Sequence, residues 1–365
     1  MKTAILGAGC VGGGLLHILD ESGVAQAARI VEREGSLCTD PRVTHDINEV
    51  LRDGGIEAVA EAIGGVGAAY EYVLAALKCG KHVVTANKQL VAERGAELHA
   101  AAQKSGAALL FSAACGGGIP FLRELAAAAR YDDVLSLGGI LNGTANYILD
   151  LMQQGGSFEH ALAEAQALGY AEADPSADID GHDTARKCAL GCAVAFGELP
   201  AQSSILMEGI RYITAEDVRE LASRGLCCRL TAYAERREGG LFACVQPELF
   251  TLDSAPAAVR QNYNRAWYYL RYGGLFALTG QGAGALPTGG AMARDLCDIM
   301  AGTRTMLAQG CRSAAADGDK EYKYYIRVSG EGTEYTARIS AREMHRRAKE
   351  LRGQGKEVFF AALDE

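Results

Sequence analysis

Short apolar runs alternate with helical stretches along the first part of the chain. Lys2–Leu6, KTAIL, predicts a strand, and a helical pattern follows over Leu15–Asp20. Strand Arg29–Val31, helix Asn48–Arg52, strand Ala58–Ile63 and helix Tyr70–Cys79 come next, the last ended by Gly80. Strand His82–Thr85, helix Gln89–Ser105 and strand Ala108–Ser112 complete the series. Strands alternating with helices over roughly 125 residues predict a parallel sheet with right-handed crossovers. The rhythm then changes. A strand is expected over Val134–Leu141, helices over Asn146–Gln154, Phe158–Ala167 and Asp183–Phe196, and strands over Arg229–Glu235 and Leu241–Gln246. The glycine-rich GQGAGALPTGG precedes a long helix expected over Ala291–Ala308. The tail predicts strand Lys323–Ser329, strand Thr333–Ile339, helix Ala341–Arg352 and strand Val358–Leu363. The fold class is α/β: a parallel-sheet domain over 1–127, a second α/β domain over 128–284, and a small β-β-α-β appendage over 309–365.

The first turn carries chemistry. Gly7-Ala8-Gly9-Cys10-Val11-Gly12 is G-x-G-x-x-G between a strand and a helix. There the first glycine makes the tight turn and the second lets backbone N–H groups approach a pyrophosphate. The third lets the helix pack closely, its N-terminus facing the anion. A Rossmann-like dinucleotide site is expected, with Gly7, Gly9, Cys10, Val11 and Gly12 on the cofactor. An acid about 20 residues past the last glycine would hold the ribose hydroxyl of NAD, and Glu32 stands there. Its neighbour Arg33 could instead meet the 2′-phosphate of NADP, so both cofactors stay open. Thr85-Ala86-Asn87-Lys88 also follows a strand at its carboxyl end, where ligands bind in open α/β sheets. Lys88 could contact cofactor or substrate, or be a surface lysine. In Ala114–Pro120, three glycines suit close backbone approach or a sharp turn, and Cys115 is a reactive thiol or a packing residue.

Composition narrows the classes. At 365 residues and 49% apolar, the chain can bury two cores and is not extensively disordered. Its net charge is −9. The one basic cluster, Arg342 to Arg352, is interleaved with Glu343 and Glu350 and predicts a solvated helix face, so no nucleic-acid partner is expected. No apolar run is long enough to span a membrane, and the chain begins directly with a strand, without a signal peptide. Eleven cysteines without C-x-x-C spacing predict buried thiols in a reducing cytosol, hence a soluble cytoplasmic protein.

The densest polar frame lies between Ala165 and Lys187, AQALGYAEADPSADIDGHDTARK. It contains Glu172, Asp183 and Lys187. Asp183 and Lys187 are four apart at a helix start, on one face, acid before base. An ordinary solvated pair is one reading. Two carboxylates and an ammonium gripping a zwitterionic substrate, with the lysine shuttling a proton, is the other.

From Ala165 through Gly169-Tyr170-Ala171-Glu172-Ala173-Asp174-Pro175, Asp178-Ile179, Gly181 and Asp183 to Lys187, this frame resembles the homoserine dehydrogenase signature at every defined position. The likeness extends to GAGCVGGG, Glu61-x-Ile63-Gly64-Gly65, HVVTANK, GGGIP, GILNGTANYIL and GAGALPT, over about residues 1–308. It implies reversible conversion of L-homoserine and NAD(P)+ to L-aspartate 4-semialdehyde and NAD(P)H, on the route to threonine and methionine. It implies Lys187 as catalytic acid/base and Glu172 and Asp183 on homoserine. Lys88 would lie between cofactor and substrate, with Gly282 and Gly284 returning to the cofactor. It also implies that helix 285–308 closes the nucleotide domain and that the second domain dimerises through its sheet, giving a homodimer or homotetramer. In relatives a glutamate and the carbonyls matching Cys115, Gly117 and Ile119 hold a monovalent cation; Ser112 stands here in place of that glutamate. Cys115 replaces a usual valine. The tail is too short for a complete ACT regulatory domain, so threonine feedback at such a domain is not expected. A nucleotide-binding sensor that had kept the fold without turnover would lack the polar trio. A related dehydrogenase for another short amino acid is the other alternative.

Overall fold

The computed structural model describes residues 1–237, 239–308 and 310–363. In chain order it begins β1 (Lys2–Leu6), α1 (Cys10–Ser22), β2 (Gln26–Val31), β3 (Val43–Thr44), α2 (Ile47–Arg52) and β4 (Ala58–Glu61). Then come α3 (Gly67–Lys78), β5 (His82–Thr85), α4 (Lys88–Ser105), β6 (Leu109–Leu110) and α5 (Phe121–Ala128). Among the described residues the six strands form one parallel sheet, ordered β3-β2-β1-β4-β5-β6. Central β4 is buried at all four positions, as a strand covered on both faces must be. Leu6, Val31, Val59 and Val83 of the strands meet Val73, Leu77, Leu90 and Leu98 of the helices in one core. The expected strand Ala108–Ser112 is only two residues long, because Ser112–Ala114 turn into a 3-10 helix.

The next segment contains β7 (Val134–Ile140), α6 (Gly143–Gln153), α7 (Phe158–Ala167), α8 (Ser176–Ile179) and α9 (His182–Phe196). It continues with β8 (Glu198–Pro200), β9 (Leu206–Met207), α10 (Ala215–Ser223), β10 (Leu226–Arg237), β11 (Gly240–Thr251), β12 (Tyr263–Leu270) and β13 (Gly274–Gln281). Last come α11 (Ala285–Met300), β14 (Arg312–Ala314), β15 (Glu321–Val328), β16 (Gly332–Tyr335), β17 (Ile339–Ser340), α12 (Ala341–Gly353) and β18 (Val358–Leu363). Helix α11 begins six residues before its expected start. Gly284, at φ 127, breaks the preceding chain, and Pro287 falls in the first turn, where a missing N–H costs nothing.

The chain divides into two compact units, one of residues 1–132, 190–199 and 281–313, the other of 133–189, 200–280 and 314–365. In the first, α11 packs on α1 at backbone distance. A Cβ on Gly14 would lie 2.2 Å from the Ala285 carbonyl oxygen, and one on Gly289 would lie 2.5 Å from Leu15 N. In the second, a mixed sheet runs β13-β12-β7-β10-β11-β18-β15-β16, with β17 on β15 and β9 on β11. The tail strands thus extend this sheet, β18 joining β11 in parallel at Glu248–Ala362. They close a core of Phe242, Tyr324, Met344 and Phe360. The Arg342–Arg352 segment is not uniformly solvated: Arg352 donates to both Glu208 oxygens (2.8 and 2.9 Å) and stacks over Tyr212, while Arg342 Nε reaches the Gly318 carbonyl at 3.1 Å. Six cysteines are buried, and Cys10 and Cys79 are exposed.

Candidate active site

In the first unit the loop between β1 and α1 is built by its glycines. Gly7 sits at φ 87, and a Cβ on Gly12 would stand 1.8 Å from the Gly7 carbonyl oxygen. Around Gly9 a Cβ would meet nothing within 4 Å, leaving the loop open where a pyrophosphate would approach. Cys10 is the first helical residue, and Val11 follows it on α1. The loop borders a cleft of about 880 Å³ lined by Gly7, Ala8, Gly9, Glu32, Arg33 and His45 among others. Ala8 N–H donates to Glu32 Oε1, so the carboxylate at the end of β2 turns onto the loop. The Glu32 carbonyl contacts His45 Nδ1 at 2.9 Å, and Arg33 is exposed. These residues fit a dinucleotide.

Two further predicted segments belong to this unit. Lys88 is the half-buried first residue of α4, whose N-cap Asn87 accepts from Leu90 N–H and donates to the Gly65 carbonyl. Buried Glu61 ties that turn to its neighbour, accepting from Thr85 Oγ1, Ile63 N–H and Gly64 N–H. Gly282 lies against the Gly116–Gly118 turn: a Cβ on Gly117 would come within 2.6 Å of the Gly282 carbonyl, and Gly118 N–H donates to Gln281 O at 3.2 Å. Gly284 caps α11.

Near the family's cation position the structure shows a different device. Ser112 donates from N–H (2.9 Å) and Oγ (2.5 Å) to the two oxygens of Asp295 on α11. Burial raises this carboxyl from 3.8 to about 7. The folded protein therefore holds a proton that the unfolded chain releases. The stability this gives is complete below pH 4, declines as the pH rises, and is gone above about 7. Asp295→Asn should flatten that dependence. Melting curves from pH 4 to 8 should show the parent's advantage over the variant shrinking as pH rises; parallel curves would refute it. The Ile119 carbonyl already accepts from Phe121 N–H, and Cys115 is buried.

The second unit holds the polar trio in unequal settings. Gly181, at φ 88, turns the chain into α9 and places Asp183 in the first turn, where a negative charge is favoured. Lys187 Nζ stands 2.7 Å from Asp183 Oδ2 and donates to the Leu141 carbonyl at 2.6 Å. Both side chains are under a tenth exposed, which rules out the ordinary solvated pair. Asn142 caps α6 by accepting from Ala145 N–H at 2.7 Å; its Nδ2 donates to Asp183 Oδ2 (2.9 Å) and Asp178 Oδ1 (2.7 Å). Sequence reasoning gave Asn142 no role, although its place before Gly143-Thr144 marks a helix N-cap. Glu172, unlike the pair, is exposed, on the turn after α7, and its carboxylate has no hydrogen-bond partner among the described residues. Thr144 Oγ1 pins that turn by donating to the Tyr170 carbonyl at 2.6 Å.

Comparison with known proteins agrees with both halves of this picture. The model of the homoserine dehydrogenase family matches residues 120–297, and that of the homoserine dehydrogenase NAD-binding domain matches residues 7–112. Homoserine dehydrogenase of Corynebacterium glutamicum is 36% identical over 87% of this chain and 74% of its own length. That of Neisseria gonorrhoeae is 35% identical over 82% and 72%. The crystal structure of a homoserine dehydrogenase from Thiobacillus denitrificans superposes with a TM-score of 0.88 at 30% identity, covering 100% of this chain and 98% of that one. With a glycine loop built for a dinucleotide and a buried acid–lysine pair inside the signature run, the chain belongs to the homoserine dehydrogenase family.

Proposed function

We propose that this protein interconverts L-homoserine and L-aspartate 4-semialdehyde with NAD(P), and that Lys187 moves the proton. The observation that carries this reading is the buried Asp183–Lys187 pair. Bound NAD(P), which the Gly7–Gly12 loop would hold, would supply the hydride acceptor for the carbinol carbon and, reduced, the hydride donor for the aldehyde. Lys187 Nζ exchanges the hydroxyl proton and, as an ammonium, stabilises the oxygen as negative charge develops. Asp183 and the Leu141 carbonyl hold Nζ in place. Glu172 and Asp183 bind the substrate ammonium, the exposed Glu172 being open to it, and Lys88 contacts cofactor and substrate. No step runs through a monovalent cation: Ser112 brings no carboxylate to the carbonyls of Cys115, Gly117 and Ile119, and Asp295 is engaged by Ser112. The deciding experiment follows reduced-cofactor absorbance with purified protein, L-homoserine and each cofactor. Turnover is expected, and its absence in protein that binds cofactor would sink the reading.

Cofactor choice rests on Glu32 and Arg33. The carboxylate suits a free ribose hydroxyl and repels a 2′-phosphate; the guanidinium attracts one. Glu32→Ala should move the kcat/KM ratio towards NADP by about tenfold or more, and Arg33→Ala should move it towards NAD. Equal changes with both cofactors would remove these residues from the ribose site.

The first unit is read as the nucleotide domain and the second as the catalytic and dimerisation domain. Self-association is supported by β12 and β13 at the end of the second sheet, where Tyr269, Leu275 and Phe276 are exposed. A cytoplasmic setting suits eleven cysteines, none of them in a disulfide among the described residues.

A further inference from the structure

We infer that Asn142 is a positioning residue for the Asp183–Lys187 pair, and that its second role as a helix cap is what makes the positioning rigid. The inference rests on the proposed role of Lys187. One side chain does two things at once. Its Oδ1 accepts from Ala145 N–H, locking the amide to the first turn of α6. With the oxygen so fixed, Nδ2 faces two carboxylates, Asp183 at 2.9 Å and Asp178 at 2.7 Å. Both amide hydrogens and one oxygen lone pair are used, and the residue is 3% exposed.

The consequence reaches Lys187 by two routes. Asp183 Oδ2 receives both the Asn142 amide and Lys187 Nζ. The other Nζ acceptor is the carbonyl of Leu141, the residue before Asn142, whose place is set by the same cap. A single anchored residue thus fixes the carboxylate on one side of the ammonium and the carbonyl on the other. Asp178, held by the second Nδ2 hydrogen, brings α8 to the same anchor. Reacting groups misplaced by about 1 Å can lose about 10²-fold in rate, so the amide should matter to turnover without touching substrate.

Capping and positioning can be separated, because serine and threonine both cap helices, add no charge beside Asp178 and Asp183, and offer no amide donor. Asn142→Ser, Asn142→Thr and Asn142→Ala are compared for melting temperature, cofactor KM, homoserine KM and kcat. Turnover is counted per cofactor-binding site and measured at a fixed interval below each variant's own melting point. The inference expects Asn142→Ser and Asn142→Thr to melt above Asn142→Ala and yet to lose kcat like it, by about 10²-fold, with cofactor KM unchanged. A residue that only caps would give the opposite pattern, with kcat restored along with melting temperature in the serine and threonine variants, and that result overturns the inference. Lys187→Ala run alongside keeps the two levels distinct: if it turns over normally, the reading of Lys187 has failed, whatever Asn142 does.

Discussion

Lys187→Ala is expected to lower kcat by about 10³-fold, within the range over which a positioned acid/base acts, while cofactor still binds. The reason is geometric. Nζ is the group held between Asp183 Oδ2 and the Leu141 carbonyl, at 2.7 and 2.6 Å, on a helix whose first turn is fixed by Gly181. Truncation removes the proton carrier and leaves a buried carboxylate without its cation. Breaking a buried pair costs about 3–5 kcal/mol; the Asn142 amide still donates to Asp183, which places the loss at the lower end. The melting temperature should therefore drop as well, and activity must be compared per cofactor-binding site, titrated by the fluorescence of the reduced cofactor. Turnover within about tenfold of the parent, below the contribution expected of a general acid/base, would dismiss Lys187 as the proton carrier.

The second large effect concerns the nucleotide loop, where two glycines should fail in different ways. Gly12→Ala puts a methyl 1.8 Å from the Gly7 carbonyl oxygen and 2.9 Å from its carbon. No side chain can yield there, so the loop or α1 must move. Both cofactor affinity and thermal stability should fall, affinity by about 10²-fold or more, since a displaced loop loses several backbone contacts at once. Gly9→Ala meets nothing within 4 Å in the protein itself. It should leave the melting temperature in place and still weaken the cofactor, because its methyl enters the space where the pyrophosphate approaches the backbone. Equilibrium binding of NADH and NADPH with melting curves resolves the two. Tight binding by the Gly12 variant would mean that the loop does not cradle the cofactor.

The contrast between these sites shows what a single sequence makes legible. The β1–loop–α1 unit and the Asp183–Lys187 pair are local: each is read within a few residues, and glycine spacing or helical period carries the information. The flanking anchors are not. Asn142 meets Asp178 and Asp183 across 36 and 41 residues, and Ser112 meets Asp295 across 183. Nothing in the local pattern pairs them. The tail shows the same limit on a larger scale. Its strands and helix were readable one by one, but their joining to β11 depends on a parallel pairing that leaves no periodic trace. Helix α11 starts before its apolar pattern does because a glycine and a proline, residues typical of loops, serve as its cap and first turn. The hairpin β12–β13 and helix α10 lie outside the elements that the pattern predicts. Glu172 remains the residue whose placement least resembles a formed site, lying exposed while its two partners are buried.

The backbone-close packing of α1 on α11 also sets an order of events during protein synthesis. Gly14 and Leu15 emerge from the ribosome first, and Ala285 and Gly289, which cover them, follow after about 270 intervening residues, made at roughly 5–20 residues per second. For that interval the finished sheet of the first unit keeps one helix uncovered. The nucleotide loop is thus translated well before the helix that completes its unit.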